Sequence, residues 1–177
     1  MMTEELQNKA RPVKLAVFDV DGVMTDGRLY FTSLGDEIKA FNVKDGLGLK
    51  LLQDNGIEVA IITGRTSELV KRRANDLKIA HLIQGREDKK RALQEIMQSK
   101  QLQPEHIAYM GDDLPDLSAI RFAGLGVTVA DALPLIQQHA DLITEQCGGD
   151  GAVREFCDWL LLAQGKLNSV LEPYLDQ

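Results

Sequence analysis

At 177 residues the chain is long enough for one domain with a substantial core and too short for two ordinary ones. Apolar residues at 44% and charged residues at 27% describe an ordinary globular protein, and a net charge of −7 excludes the basic face that a nucleic acid or an anionic membrane demands. Two cysteines, Cys147 and Cys157, match no zinc spacing, so inert free thiols in a reducing compartment are expected.

Residues 1–12 form a polar N-terminal segment without an apolar signal core, and no stretch approaches the roughly 18–20 apolar residues of a membrane span. A cytoplasmic enzyme or binding protein fits that pattern. Lys14–Phe18 is a short apolar run that reads as a buried parallel strand, ending in Asp19-Val20-Asp21-Gly22. Residues 28–42 hold two β-prone runs around Ser33-Leu34-Gly35-Asp36, a hairpin signal. Asp45 is the expected cap of a helix over 46–55, with Leu47, Leu51 and Leu52 on its inner face and Gly56 ending it.

Ile57–Thr63 predicts a second strand, running into Thr63-Gly64-Arg65, and Ser67–Leu77 a basic amphipathic helix. A short strand at 81–84 precedes a helix over 88–100, with Ala92, Leu93, Ile96 and Met97 inward. Ile107–Met110 predicts a fourth strand, followed by Gly111-Asp112-Asp113 and a helix over 114–122 whose first turn tolerates Pro115. Strands over 125–129 and 141–144 flank a helix over 133–139, and a last helix spans 152–163. The tail, 164–177, shows no clear period. Alternating strands and helices predict a three-layer αβα sandwich around a mostly parallel, Rossmann-like sheet, with the hairpin protruding and 1–177 forming a single domain.

Chemistry gathers at the strand ends, where open α/β sheets bind ligands. Asp19 and Asp21, two residues apart, point to the same side of the pleat. One carboxylate of such a pair can attack phosphorus, while the other protonates the leaving oxygen and later takes a proton from water. A phosphate dianion approaches two carboxylates only with a counter-charge, which calls for a hard divalent cation such as Mg²⁺. Thr63 offers a hydroxyl, Gly64 and Arg65 offer backbone amides, and Lys89 offers a point charge for the transferring group. Asp112 completes an oxygen shell for the metal, and Asp113 or Asp116 can steady it. Any one of these residues alone reads as an ordinary turn or solvated helix start; four successive strand ends carrying them is a different matter.

Asp19-Val20-Asp21-Gly22-Val23, Thr63-Gly64-Arg65, Lys89 and Gly111-Asp112-Asp113 resemble, in order and spacing, the four motifs of the haloacid dehalogenase superfamily. The resemblance covers nearly all of 13–163. It implies that Asp19 is the nucleophile and Asp21 the general acid/base, and that Thr63 and Lys89 bind the phosphoryl group. It also implies that Asp19, the Asp21 backbone carbonyl and Asp112 hold Mg²⁺.

Thr63 stands 42 positions after Asp21, and Lys89 stands 26 after Thr63, which leaves no room for a cap domain. Leu29, Phe31, Ile38 and Phe41 are too many apolar side chains for a free two-stranded ribbon, so a homo-oligomer packed through its hairpins is expected. Asp-Gly-Val-Met-Thr-Asp-Gly at 21–27, Asn-Val-Lys-Asp-Gly-Leu-Gly at 42–48, and Gly-Gly-Asp-Gly-Ala-Val-Arg-Glu at 148–155 are similar to the capless subgroup that dephosphorylates 3-deoxy-D-manno-octulosonate 8-phosphate. Met24 stands where Leu is more usual there, a swap that conserves volume. This resemblance implies a Mg²⁺-dependent homotetramer of lipopolysaccharide precursor synthesis acting on a small sugar acid phosphate. Relatives acting on nine-carbon sugar acid 9-phosphates tend to lack the arginine of the Gly-Arg pair, so Arg65 favours the eight-carbon substrate.

The substrate carboxylate needs a cation of its own, and Arg65, Arg72, Arg73, Arg86 and Arg154 are the candidates. Arg73 joins Thr63, Gly64, Arg65 and Lys89 in the expected substrate-binding set, although at least one of Arg72 and Arg73 belongs to a solvated helix face. In similar proteins the C-terminal tail reaches over a neighbour's site, and Gly148–Gly151 would be its pivot. A non-catalytic binding module of the same fold conflicts with the presence of both the nucleophile and the acid. A phospho-accepting signalling domain would lack help of the Asp21 kind.

Overall fold

A computed structural model describes residues 3–175; the outermost two residues of the N-terminal segment and of the C-terminal tail lie outside that range. The elements run α1 (Glu4–Ala10), β1 (Leu15–Phe18), β2 (Tyr30–Phe31), β3 (Glu37–Ile38), α2 (Val43–Asp54), β4 (Glu58–Ile62), α3 (Glu68–Asp76) and β5 (His81–Ile83). They continue with α4 (Lys89–Lys100), β6 (Ile107–Met110), α5 (Leu117–Ile120), β7 (Leu125–Thr128), α6 (Pro134–Gln137), β8 (Leu142–Ile143), α7 (Ala152–Ala163) and α8 (Leu167–Leu175). Six strands pair in the order β5-β4-β1-β6-β7-β8, every pairing parallel, and β2 and β3 form a separate antiparallel ribbon. α2 packs on α7 and α4 on α5, giving the expected helical layers around the sheet.

Parallel strands sandwiched between helices are buried on both faces, which is why β1 reads as an unbroken apolar run. Leu15, Ala16, Val17 and Phe18 are all buried, and Phe18 meets Phe156 of α7 edge to face with ring centroids 6.0 Å apart. Register does the rest. Phe18 lies opposite Ile61 on β4 and Met110 on β6, so the residues just past each strand emerge on one edge of the sheet. Asp19 and Thr63 directly follow β1 and β4, and Asp112 is the second residue past β6.

The structure corrects several local expectations. Asn42, not Asp45, caps α2, accepting from the Lys44 amide at 2.8 Å. Asp45 is instead buried in the first turn and accepts from the Arg154 amide at 2.8 Å, joining α2 to the start of α7. Leu47 is 38% exposed, and Leu49 takes its inward place beside Leu51 and Leu52. The helix expected over 114–122 divides into a tight 3₁₀ turn at Leu114–Asp116 and the short α5. The polar N-terminal segment carries α1, capped by Thr3, with Leu6 and Ala10 one turn apart against the core. The tail is also helical: Leu167, Val170, Leu171 and Tyr174 recur at helical spacing along α8, with Pro173 near its end.

The hairpin is shorter than the sequence predicts, with two residues per strand. Phe31, Leu34 and Ile38 are exposed, whereas Phe41 folds back against the core beneath the Arg73 guanidinium, 5.7 Å from its ring centroid. Gly148 and Gly149 are not a pivot. The Gly149 amide donates to the Val23 carbonyl at 2.9 Å and the Gly148 amide to Asp131 Oδ1 at 2.9 Å, fixing that loop against residues 22–26. Cys147 is exposed, Cys157 is buried, and both are free thiols. Among the described residues no helix is long and apolar enough to cross a membrane.

Candidate active site

Residues 20–25 leave β1 in a tight coil organised on one atom: the amides of Val23, Met24 and Thr25 all donate to the Val20 carbonyl, at 3.2, 2.9 and 3.1 Å. The coil presents Asp19 and Asp21 to a cleft of about 330 Å³. Gly22 is required here, because its φ is +89° and a Cβ would collide with the Asp112 carboxylate. Twelve residues line the cleft, among them Asp19, Asp21, Thr63, Gly64, Arg65, Lys89 and Asp112. Register therefore brings together every residue of the expected set except Arg73.

Lys89, the first residue of α4, is buried, and its ammonium lies 2.7 Å from both Asp19 Oδ2 and Asp116 Oδ1. Burial alone lowers a lysine pKa, but Asp19 and Asp116 outweigh it and hold this one above its ordinary value. Asp116 has no solvent exposure and is saturated with donors. Its Oδ1 accepts from Lys89 and from the Tyr109 hydroxyl at 2.7 Å, and its Oδ2 accepts from the amides of Asp112 and Asp113 at 3.2 and 3.3 Å. Asp116 thus steadies the loop that carries Asp112, whereas Asp113 is exposed and caps the 3₁₀ turn through the Leu114 amide.

The carboxylates of Asp19, Asp112 and Asp116 lie within 4.8 Å of one another. Burial, with Asp116 second, raises Asp19 from 3.8 to about 7, and burial followed by Asp116 and Asp19 raises Asp112 from 3.8 to about 8. Asp19 Oδ1 and Asp112 Oδ1 are buried with no hydrogen-bond partner among the described residues. Buried carboxylate oxygens left without a donor could hold a hard divalent cation, whereas the donors on Asp116 already occupy both of its oxygens. The cleft walls carry six carboxylates against two cations, Arg65 and Lys89, so a phosphate needs that cation to enter.

Sequence reasoning missed the hairpin's polar face. Lys39, its side chain only 2% exposed, ion-pairs with Asp21 Oδ1, and Glu37 accepts from Arg65 at 3.0 Å and from the Ser67 hydroxyl at 2.8 Å. Arg65 Nε is 3.8 Å from Asp21 Oδ2, so the second carboxylate sits between two cations. The signal was the polar alternation of Glu37 and Lys39 around Ile38, which reads equally as a solvated strand edge.

The other arginines are engaged elsewhere. Arg73 donates to the Asn42 carbonyl at 3.1 Å and lies over Phe41, away from the cleft, because α3 turns its side chain toward the start of α2. Arg86 pairs with Asp88 and Glu95, Arg154 pairs with Asp158, and Arg72 is exposed. Arg65 is the arginine at the cleft.

A sequence model described as haloacid dehalogenase-like hydrolase matches residues 79–156. The chain is 49% identical to the 3-deoxy-D-manno-octulosonate 8-phosphate phosphatase KdsC of Yersinia pestis, over 94% of this chain and 89% of that one. It is 49% identical to the phosphatase of the same name from Escherichia coli K12, over 90% and 85%. Among solved structures it resembles the 3-deoxy-D-manno-octulosonate 8-phosphate phosphatase of Moraxella catarrhalis, described in complex with magnesium, phosphate and KDO. That likeness has a TM-score of 0.96 and 44% identity, covering 98% of this chain and 99% of the other.

Proposed function

The chain belongs to the 3-deoxy-D-manno-octulosonate 8-phosphate phosphatase family of haloacid dehalogenase-like hydrolases, and from that premise we propose that it is a Mg²⁺-dependent phosphatase of that eight-carbon sugar acid ester. The observation that carries the reading is the pair of orphaned oxygens on Asp19 and Asp112 beside the Asp19–Lys89 ion pair. A nucleophile with one oxygen anchored by an ammonium and another facing a cation site is suited to attack on a phosphoryl group.

The carboxylates of Asp19 and Asp112, with the Asp21 backbone carbonyl, would hold Mg²⁺, which when bound supplies positive charge against the phosphoryl oxygens. Thr63 and Gly64 receive the phosphoryl group at the start of the cleft wall, and Lys89 neutralises it. An Asp19 oxygen attacks phosphorus, the bond from phosphorus to the sugar oxygen breaks, and Asp21 gives its proton to that oxygen. Asp21 then takes a proton from water, whose oxygen attacks phosphorus of the aspartyl-phosphate; the bond from phosphorus to the Asp19 oxygen breaks, releasing inorganic phosphate and restoring the Asp19 carboxylate. Lys39 and Arg65 hold the Asp21 carboxylate from both sides, and Arg65 offers the guanidinium that the substrate carboxylate needs.

Under the same reading 1–177 is a single catalytic domain, working in the cytoplasm on a lipopolysaccharide precursor and assembling as a homotetramer through its hairpins. The exposed Phe31, Leu34 and Ile38 support that assembly. Acid quenching during turnover of a ³²P-labelled ester tests the covalent step. The wild-type protein should carry acid-stable, hydroxylamine-labile phosphate on Asp19, at a level set by the balance of its formation and hydrolysis. Turnover with no trapped phosphate, in the wild type or in Asp21→Asn, would mean that water attacks the ester without an aspartyl intermediate.

A further inference from the structure

We propose that Tyr109 is a positioning residue that sets how firmly Asp116 holds Lys89, and through Lys89 how well the site binds a phosphoryl group. The proposal rests on the phosphatase reading, in which Lys89 meets the transferring group. Tyr109 lies in the middle of β6 with no solvent exposure, paired with Val17 and Gly126. It does not line the cleft, so it touches neither substrate nor reacting atoms. A phenylalanine would fill the same volume, and a phenol at such a position is favourable only if its hydroxyl finds a partner.

The partner is specific. The Tyr109 hydroxyl donates to Asp116 Oδ1 at 2.7 Å, the same oxygen that accepts from Lys89 Nζ at 2.7 Å. The two backbone donors to Asp116 use the other oxygen. Among the described residues Tyr109 is therefore the one donor that shares Oδ1 with Lys89. Sharing that oxygen draws charge away from the Lys89–Asp116 pair and leaves the ammonium freer to serve Asp19, 2.7 Å away on its other side. Without the hydroxyl, Asp116 would draw Lys89 toward itself, while its bonds to the Asp112 and Asp113 amides would persist.

The test is Tyr109→Phe, read first by binding of inorganic phosphate to the Mg²⁺-loaded protein in a calorimeter. Phosphate binding should weaken about three- to tenfold, part of what a hydrogen bond to a charged group carries, with KM for the sugar acid phosphate rising in parallel. Mg²⁺ affinity measured without phosphate should change less than about twofold, because the loop bonds through Asp116 Oδ2 remain. In a Lys89→Met background the same substitution should leave phosphate affinity unchanged. A structural role alone would lower the melting temperature and leave phosphate affinity at the wild-type value, and that result overturns the proposal, as does an effect that persists in full in the Lys89→Met protein.

Should Tyr109→Phe fail to fold, fluorotyrosine can replace the three tyrosines, of which Tyr30 and Tyr174 lie on the hairpin and in α8. A more acidic phenol donates more strongly, so phosphate should bind more tightly; unchanged or weaker binding overturns the proposal. Phosphate binding needs no sugar. A wild-type protein that binds Mg²⁺ and phosphate but leaves the sugar ester intact would overturn the substrate assignment and leave Tyr109 in its role.

Discussion

Lys89 Nζ lies 2.7 Å from Asp19 Oδ2, while Asp19 Oδ1 is buried without a partner, so the two oxygens of one carboxylate are chemically distinct. One oxygen is held by the ammonium and the other faces the cation site, which fixes the carboxylate in place for attack. Asp19→Asn should abolish turnover with the fold kept, and full activity in that variant would end the assignment. Lys89→Met should lower kcat/KM by about 10²–10³, the usual cost of removing one charge-stabilising donor. Steady-state kinetics on both variants, with circular dichroism as the control, supply the check.

Asp21 stands between Lys39 and Arg65, which orient it without reaching Asp19. Asp21→Asn should slow both phosphoryl transfer and hydrolysis of the intermediate by about 10²–10⁴, as expected for a lost general acid/base. Quenched-flow measurement of phosphoenzyme formation and decay separates the two steps. If decay keeps its wild-type rate, Asp21 does not activate the water.

Burial of the metal-facing carboxylates gives the metal-free protein a definite pH response. Asp19 and Asp112 rise from 3.8 to about 7 and about 8, and Asp45, also through burial, to about 6. Between those values and their ordinary ones the folded protein binds more protons than the unfolded chain. Its stability is therefore greatest at the acid side of this window and falls as pH rises from about 4 to 8. Without divalent ions, the melting temperature should fall between pH 5 and pH 8, and Mg²⁺ should raise it more at pH 8 than at pH 6, releasing protons as it binds. A Mg²⁺ stabilisation independent of pH would contradict the assignment of these carboxylates to the metal.

The exposed hairpin face predicts an assembly effect. Replacing both Phe31 and Ile38 with aspartate removes apolar surface that is 60% and 52% exposed in the isolated chain. Sedimentation should show the wild-type chain as an oligomer and the double variant as smaller species. A wild-type monomer at micromolar concentration would remove the hairpin interface from the account.

Gly148 packs where a Cβ would collide with the Gly22 carbonyl, so a distant loop braces the coil that carries Asp21. Gly148→Ala should destabilise the protein by about 1–3 kcal/mol, the range for overpacking a tight contact, and should lower kcat as well. Denaturant unfolding together with kinetics checks this. Loss of stability with unchanged kcat would mean that the loop braces the fold alone.

The sheet was legible because buried parallel strands write themselves as apolar runs, and four such runs end in residues whose chemistry agrees. Asp19, Thr63, Lys89 and Asp112 could be placed from spacing, since register leaves strand ends little freedom. What stayed hidden was local or conditional. Whether Asn42 or Asp45 caps α2 depends on where the hairpin returns, and Asp45 found its partner at Arg154, far away in the chain. The helical spacing of α8 is present in Leu167, Val170, Leu171 and Tyr174, but Pro173 masks it. Arg72 and Arg73 are neighbours in sequence, and neither sits at the cleft: one is exposed and the other lies over Phe41 and donates to the Asn42 carbonyl. Lys39 reads as a surface residue until the hairpin is seen to fold its charge onto Asp21.

Phosphate release from the eight- and nine-carbon sugar acid phosphates, measured side by side with and without Mg²⁺, decides both chemistry and substrate. Release should depend on Mg²⁺ and strongly prefer 3-deoxy-D-manno-octulosonate 8-phosphate. Preference for the nine-carbon ester would contradict the role given to Arg65, and no release from either by folded, metal-loaded protein would contradict the phosphatase assignment itself.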